Sequence, residues 1–188
     1  MLKYSYLKSA LLLLSSFLLS GCLITTNSLE DDASDDVAMI RVENYATPLS
    51  IERYKQVGSC LQEFDHNSLT AGINFIGIKS TYNKKIDGMP PSPATSILKD
   101  KHVMEYKIKA GQPVKVRYQE KKGSMIFEYY NSFTPQLGHS YEIFTARGRY
   151  ASGVVVNDIT QGKEDKPASW ELTECARNKT LFGGKEYK

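Results

Sequence analysis

From residue 38 onward the chain is written in short stretches in which apolar and polar residues alternate, separated by runs rich in Gly, Pro, Asn, Asp and Ser. A period of two marks a strand with one buried and one wet face, whereas a helix needs apolar residues every three or four positions. Met104, Tyr106 and Ile108 alternate with Glu105, Lys107 and Lys109, and Val114, Val116 and Tyr118 alternate with Lys115, Arg117 and Gln119. Strands are predicted over 38–43, 48–54, 73–79, 103–109, 114–119, 124–130, 141–147, 152–159 and 169–173. Short strands with few helix signals predict an all-β chain, a single antiparallel β-sandwich of about seven to nine strands.

Ala110-Gly111-Gln112-Pro113 joins the two clearest strands and predicts a hairpin with one apolar and one charged face, which Gly123 and the next strand extend to a meander. Lys107, Lys109, Lys115 and Arg117 then project together, with Lys121 and Lys122 nearby. That face suits anionic headgroups, cell-wall polymer or an acidic protein patch, and the same composition also serves simply to keep a sheet soluble. Tyr106, Tyr118, Tyr129, Tyr130 and Tyr141 fit a contact platform or, more commonly, core packing. Residues 80–102, with Gly88-Met89-Pro90-Pro91-Ser92-Pro93, lack alternation and read as a long crossing loop.

The first residues follow the order that export machinery reads: Lys3 and Lys8 are basic, Ala10 to Leu19 are mostly apolar, and small Ser20 and Gly21 precede Cys22. The apolar run is about half the roughly 20 residues a membrane-spanning helix needs, so it reads as a cleaved signal peptide. Leu19-Ser20-Gly21-Cys22 resembles the lipobox of bacterial lipoproteins at all four positions. The resemblance implies that Cys22 becomes the first mature residue, N-acylated and diacylglyceryl-modified, and that Leu23 after it favours the outer membrane. The folded part is expected to face the periplasm, an orientation that no residue encodes. Residues 1–21 are then signal peptide, 22–36 lipidated cysteine and acidic flexible tether, 37–180 the sandwich, and 181–188 a flexible tail.

The tether reading rests on Glu30, Asp31, Asp32, Asp35 and Asp36, too much like charge and too little apolar surface to fold. The spacing and glycine of an EF-hand are absent there. The chain has 24 basic and 21 acidic residues, two of the bases lying in the leader, so no net charge draws it to nucleic acid. With Cys22 acylated, Cys60 and Cys175 remain, and an oxidising compartment favours a disulfide between them. Closing a loop of about 115 residues restricts the unfolded chain by roughly 5 kcal/mol in the chain-entropy account.

No reaction is written in the sequence. His66, His102 and His139 are far apart and fit no metal-ligand spacing, serines lack the Gly-x-Ser-x-Gly elbow, and no glycine-rich phosphate loop is present. No catalytic residue, metal or cofactor is therefore expected. Gly88-Met89-Pro90, Ala110-Gly111-Gln112-Pro113 and Phe133-Thr134-Pro135 with Gly138 and Tyr141 resemble turn elements of small envelope lipoproteins of unassigned function, whose fold is an immunoglobulin- or transthyretin-like sandwich. The resemblance covers residues 88–147 and implies fold, not chemistry. The expectation is a membrane-anchored, non-catalytic binding or scaffolding module, its partner an envelope protein or cell-wall polymer. Alternatives are an inhibitor or immunity-type lipoprotein acting through a protruding loop at 80–102, and a secretion-system accessory lipoprotein. An enzyme would bring His102, His139 and a carboxylate together in a cleft.

Overall fold

The computed structural model describes residues 27–44, 48–70, 73–75, 78–80, 83–147, 152–179 and 185–187. The expected signal peptide, Cys22 and the start of the expected tether lie outside them. Among the described residues are twelve strands: β1 (Val37–Glu43), β2 (Leu49–Val57), β3 (Cys60–Ser68), β4 (Ile73–Phe75), β5 (Ile78–Ser80), β6 (Val103–Lys109), β7 (Val114–Lys122), β8 (Met125–Phe133), β9 (Ser140–Arg147), β10 (Ser152–Asp158), β11 (Arg177–Lys179) and β12 (Lys185–Tyr187). Two four-stranded sheets pack face to face, one ordered β10-β9-β1-β6 and the other β3-β2-β7-β8. Neighbours run antiparallel except β1 and β9, which pair in parallel. The fold is an all-β sandwich, as the alternation predicts.

The core lies between the sheets. Ala38, Ile40 and Val42 of β1, Ile51 of β2, Val116 of β7, Phe133 of β8 and Tyr141 and Ile143 of β9 are fully buried there. The tyrosines divide: Tyr106, Tyr118 and Tyr141 belong to the core, Tyr129 stacks on Tyr118, and Tyr130 is exposed.

Four sequence expectations are corrected. β6 and β7 do not form a hairpin: β6 pairs with β1, and β7 pairs with β2 and β8, so Ala110 to Pro113 carry the chain from one sheet to the other. An apolar face on each strand is required equally by a hairpin and by two facing sheets, and alternation does not distinguish them. The predicted strand 73–79 is two short ones, β4 paired with β5. Residues 169–173 are not a strand, and β3, whose polar sequence hides its period, is one.

The fourth correction concerns the ends. Leu29 is buried in the core, with its N–H on the Ser68 carbonyl. Asp31 accepts hydrogen bonds from Lys84 and the Lys107 backbone, and Asp36 accepts one from the Ala110 N–H. The acidic segment from residue 27 to 36 therefore lies against the sandwich and covers part of the β6 edge, and only residues 23–26 separate it from Cys22. At the other terminus β12, within the expected tail, pairs with β11.

Candidate functional site

β2 and β3 are longer than the sheet that holds them. Pairing of β2 with β7 ends at Arg53 opposite Val114, so Tyr54 to Val57 and their β3 partners project as a two-stranded wall. Gly58 turns this projection with φ +60°, a backbone angle at which a side chain is strained. Facing it is the strandless segment 168–175, pinned by backbone bonds from Leu61 to Thr173 (2.8 Å) and Cys175 to Leu61 (2.9 Å). The Cys60–Cys175 disulfide ties the same two walls covalently.

Between the walls, on a floor of residues 110–113 and 134–136, lies an open cleft of about 610 Å³. Trp170 is its main aromatic surface. The indole Nε1–H donates to the Phe133 carbonyl at 3.1 Å, and the ring meets buried Tyr54 edge to face. Below them the Lys115 ammonium lies 5.3 Å from the Tyr54 ring centroid, 5.6 Å from Trp170 and 5.2 Å from Tyr130, and pairs with Glu174. Gln56, Gln112, Gln136, Thr134 and Ser169 line it together with the charged Lys55, Lys109 and Glu171. Amides and hydroxyls both donate and accept, and a fixed indole offers rigid apolar area, a combination that suits a polar chain carrying an apolar group.

The basic face expected from the sequence is divided by the fold. Lys107 and Lys109 belong to the β1 sheet, Lys115 and Arg117 to the opposite one. The latter two are neutralised: Arg117 Nε is 3.5 Å from Glu52, its Nη1 3.6 Å from Glu128, and Lys115 pairs with Glu174. These four residues form no common binding surface, because the assumed hairpin does not exist. Cys60 and Cys175 are joined as expected, and Cys22 lies outside the described residues.

Three further charged groups are assembled by the topology. Arg41, Glu105 and Glu142 stand in one cross-strand row of β6, β1 and β9 on the outer face of their sheet, yet all three are buried. The guanidinium bonds Glu105 at 2.8 Å, Glu142 at 2.9 Å and the Pro90 carbonyl at 2.7 Å, while Ser92 and Ser96 donate to Glu142. The loop predicted at 80–102 is thus held down on the sheet from residue 85 to 98, with Leu98 packed on Val103 and Phe144. Burial pushes the Glu105 carboxyl upward, but bonds from the Ile86 N–H, Arg41 and Lys85 outweigh it and hold the group below its ordinary 4.5.

On the other sheet, Glu52, Glu63 and His66 bring ligand atoms within 4.8 Å of one another. A bulge at Phe64 makes this possible by turning positions 63 and 66, three apart, to one face. Arg117 already supplies positive charge to Glu52 there, and Tyr54 donates to its second oxygen at 2.7 Å. His139 Nδ1 lies 2.6 Å from Asp158, which also accepts from Thr160. Burial works to raise the Asp158 pKa, and the His139 and Thr160 bonds overcome it, leaving the carboxyl below its ordinary value. His102 precedes β6 at the opposite end of the sandwich from His139, so the two histidines do not converge.

The cleft itself was missed by the sequence reading. Its one signal is the sole tryptophan of the chain, standing five residues before a cysteine that needs a distant partner. No known family, curated protein or solved structure matches this chain.

Proposed function

We propose that this chain is a lipid-anchored binding module of the bacterial cell envelope, held by acylated Cys22 in the outer membrane and facing the periplasm. The cleft between the disulfide-tied walls carries the binding part of this reading: Trp170 is held by its bond to the Phe133 carbonyl and its contact with Tyr54, and Gln56, Gln112 and Gln136 line the cleft with it. Preorganisation of this kind lowers the cost of capturing a partner. The anchor part is supported by Leu19-Ser20-Gly21-Cys22 behind a short apolar run. The inhibitor reading needs a projecting loop at 80–102, and residues 85–98 are instead bonded to the sheet beneath them. The partner class is an envelope protein or cell-wall polymer that presents an extended polar segment.

Two experiments separate the parts. A photo-crosslinking residue at Gln112 should capture a partner in intact cells, and Trp170→Phe, which keeps the packing but removes the indole N–H, should reduce the yield. Absence of any adduct from Gln112 and from a second position, Gln136, defeats the cleft as the binding site. Independently, Cys22→Ser should leave unprocessed or soluble protein, and unchanged membrane retention defeats the anchor.

A further inference from the structure

We infer that the β7–β8 hairpin is a second membrane contact, which docks its apolar tip into the bilayer that holds Cys22 and turns the cleft away from it. The inference rests on the reading of Cys22 as acylated. β2 pairs with β7 only as far as Leu49 opposite Tyr118, so beyond Tyr118 the hairpin is a two-stranded finger with no third strand among the described residues. Met125 is 62% exposed, Ile126 65% and Phe127 38%. Three large apolar side chains in succession at the tip of an isolated finger are a poor surface for water.

Chain length decides what covers them. Asn27 is held at the level of Ser68, Ser50 and Arg117, the Ser68 N–H donating to its carbonyl at 2.8 Å. From Cys22 to Asn27 there are five peptide steps, a reach of at most about 18 Å. From the Arg117 level to Lys122 the finger advances by five residues, about 17 Å at the usual strand rise. Even fully extended, the tether is therefore about as long as the finger, and with the strands upright on the membrane the tip arrives at the bilayer surface. A tether that turns and so reaches less far presses the tip closer still.

Exposed Lys99, Lys101, Lys121 and Lys122 lie at the finger end, together with the acidic Asp100, Glu120 and Glu128. Lysines flanking an apolar tip match the anionic interface of a membrane. Trp170 packs near the Val114 end of β7, the far end from the tip.

The test uses the full lipidated protein in vesicles of phosphatidylethanolamine and phosphatidylglycerol with brominated acyl chains. The natural protein has Trp170 alone, which should keep its emission. Ile126→Trp adds a second indole whose emission should fall by about half or more on reconstitution, as expected for burial at the acyl boundary. Met125→Trp, at another exposed position, repeats the measurement should the first variant fold poorly. Protein that carries acyl mass and stays on the vesicles while the new indole remains open to aqueous iodide overturns the docking and leaves the anchor intact. An indole shielded from both bromine and iodide means that a protein, not lipid, covers the tip, and also overturns it. A chain without acyl mass removes both readings.

Discussion

Trp170 meets Tyr54 edge to face, with ring centroids 4.7 Å apart and planes inclined by 62°. Through this contact a strandless segment near the C-terminus is seated on β2. Trp170→Ala should cost about 2 kcal/mol, less than a fully buried aromatic because the residue is only partly buried. Trp170→Phe should cost about 1 kcal/mol, chiefly for the lost bond to Phe133. Urea unfolding followed by circular dichroism measures both, and equal loss from the two variants would mean that packing on Tyr54 contributes little.

The disulfide between Cys60 and Cys175 closes a loop of 115 residues and bridges the two walls of the cleft. Cys60→Ser paired with Cys175→Ser should destabilise the fold by about 2–5 kcal/mol. The loss should be local first: amide exchange at Leu61 and Cys175, whose N–H groups bond across the walls, should accelerate more than at Ile51 or Val116 in the core. Uniform acceleration at all four sites, measured by hydrogen exchange, would count against a local staple.

The sandwich was legible because burying one face of each strand leaves a period of two in the sequence, as in Met104, Tyr106 and Ile108. Strand partners were not legible, since the same pattern serves a hairpin and a crossing between sheets, and the basic face inferred for Lys107, Lys109, Lys115 and Arg117 fell with the assumed hairpin. Outward charge was also a poor guide to exposure. Glu105 alternates with core residues as a solvent-facing residue does, yet a proline-rich loop covers it. The cleft was hidden for a related reason. It is built from two turns, a strand extension and a coil segment that meet only once the sheets have packed.

Arg41 is the one cation bonded to both Glu105 and Glu142 in a row from which water is excluded. Arg41→Met keeps much of the volume and leaves two carboxylates facing each other, with Lys85 the remaining ion-pair partner of Glu105. The expected loss is about 3–5 kcal/mol, the usual result of breaking a buried ion pair from one side. Thermal melting of Arg41→Met beside the triple variant with Glu105→Gln and Glu142→Gln decides the cause. Partial recovery in the triple variant identifies uncompensated charge, and no recovery identifies lost packing or lost contacts to Pro90 and Ser92.

Acid should unfold the protein through two carboxylates that are held ionised in the fold. Glu105 and Asp158 have folded-state pKa values below their ordinary 4.5 and 3.8. Each therefore binds fewer protons when folded than when unfolded, so protonation favours the unfolded chain. Their stabilising contribution is complete above the ordinary values and is withdrawn as pH falls through the lowered folded ones. The melting temperature should accordingly be insensitive to these groups down to about pH 5 and decline steeply below about pH 4. Glu105→Gln should be less stable at neutral pH, since Arg41 and Lys85 lose an anionic partner, but should show a shallower acid decline. Calorimetry across a pH series checks both limbs. An acid decline as steep in Glu105→Gln as in the natural protein would transfer the acid sensitivity to Asp158, where Asp158→Asn, removing the charge that His139 and Thr160 hold in place, should then flatten it.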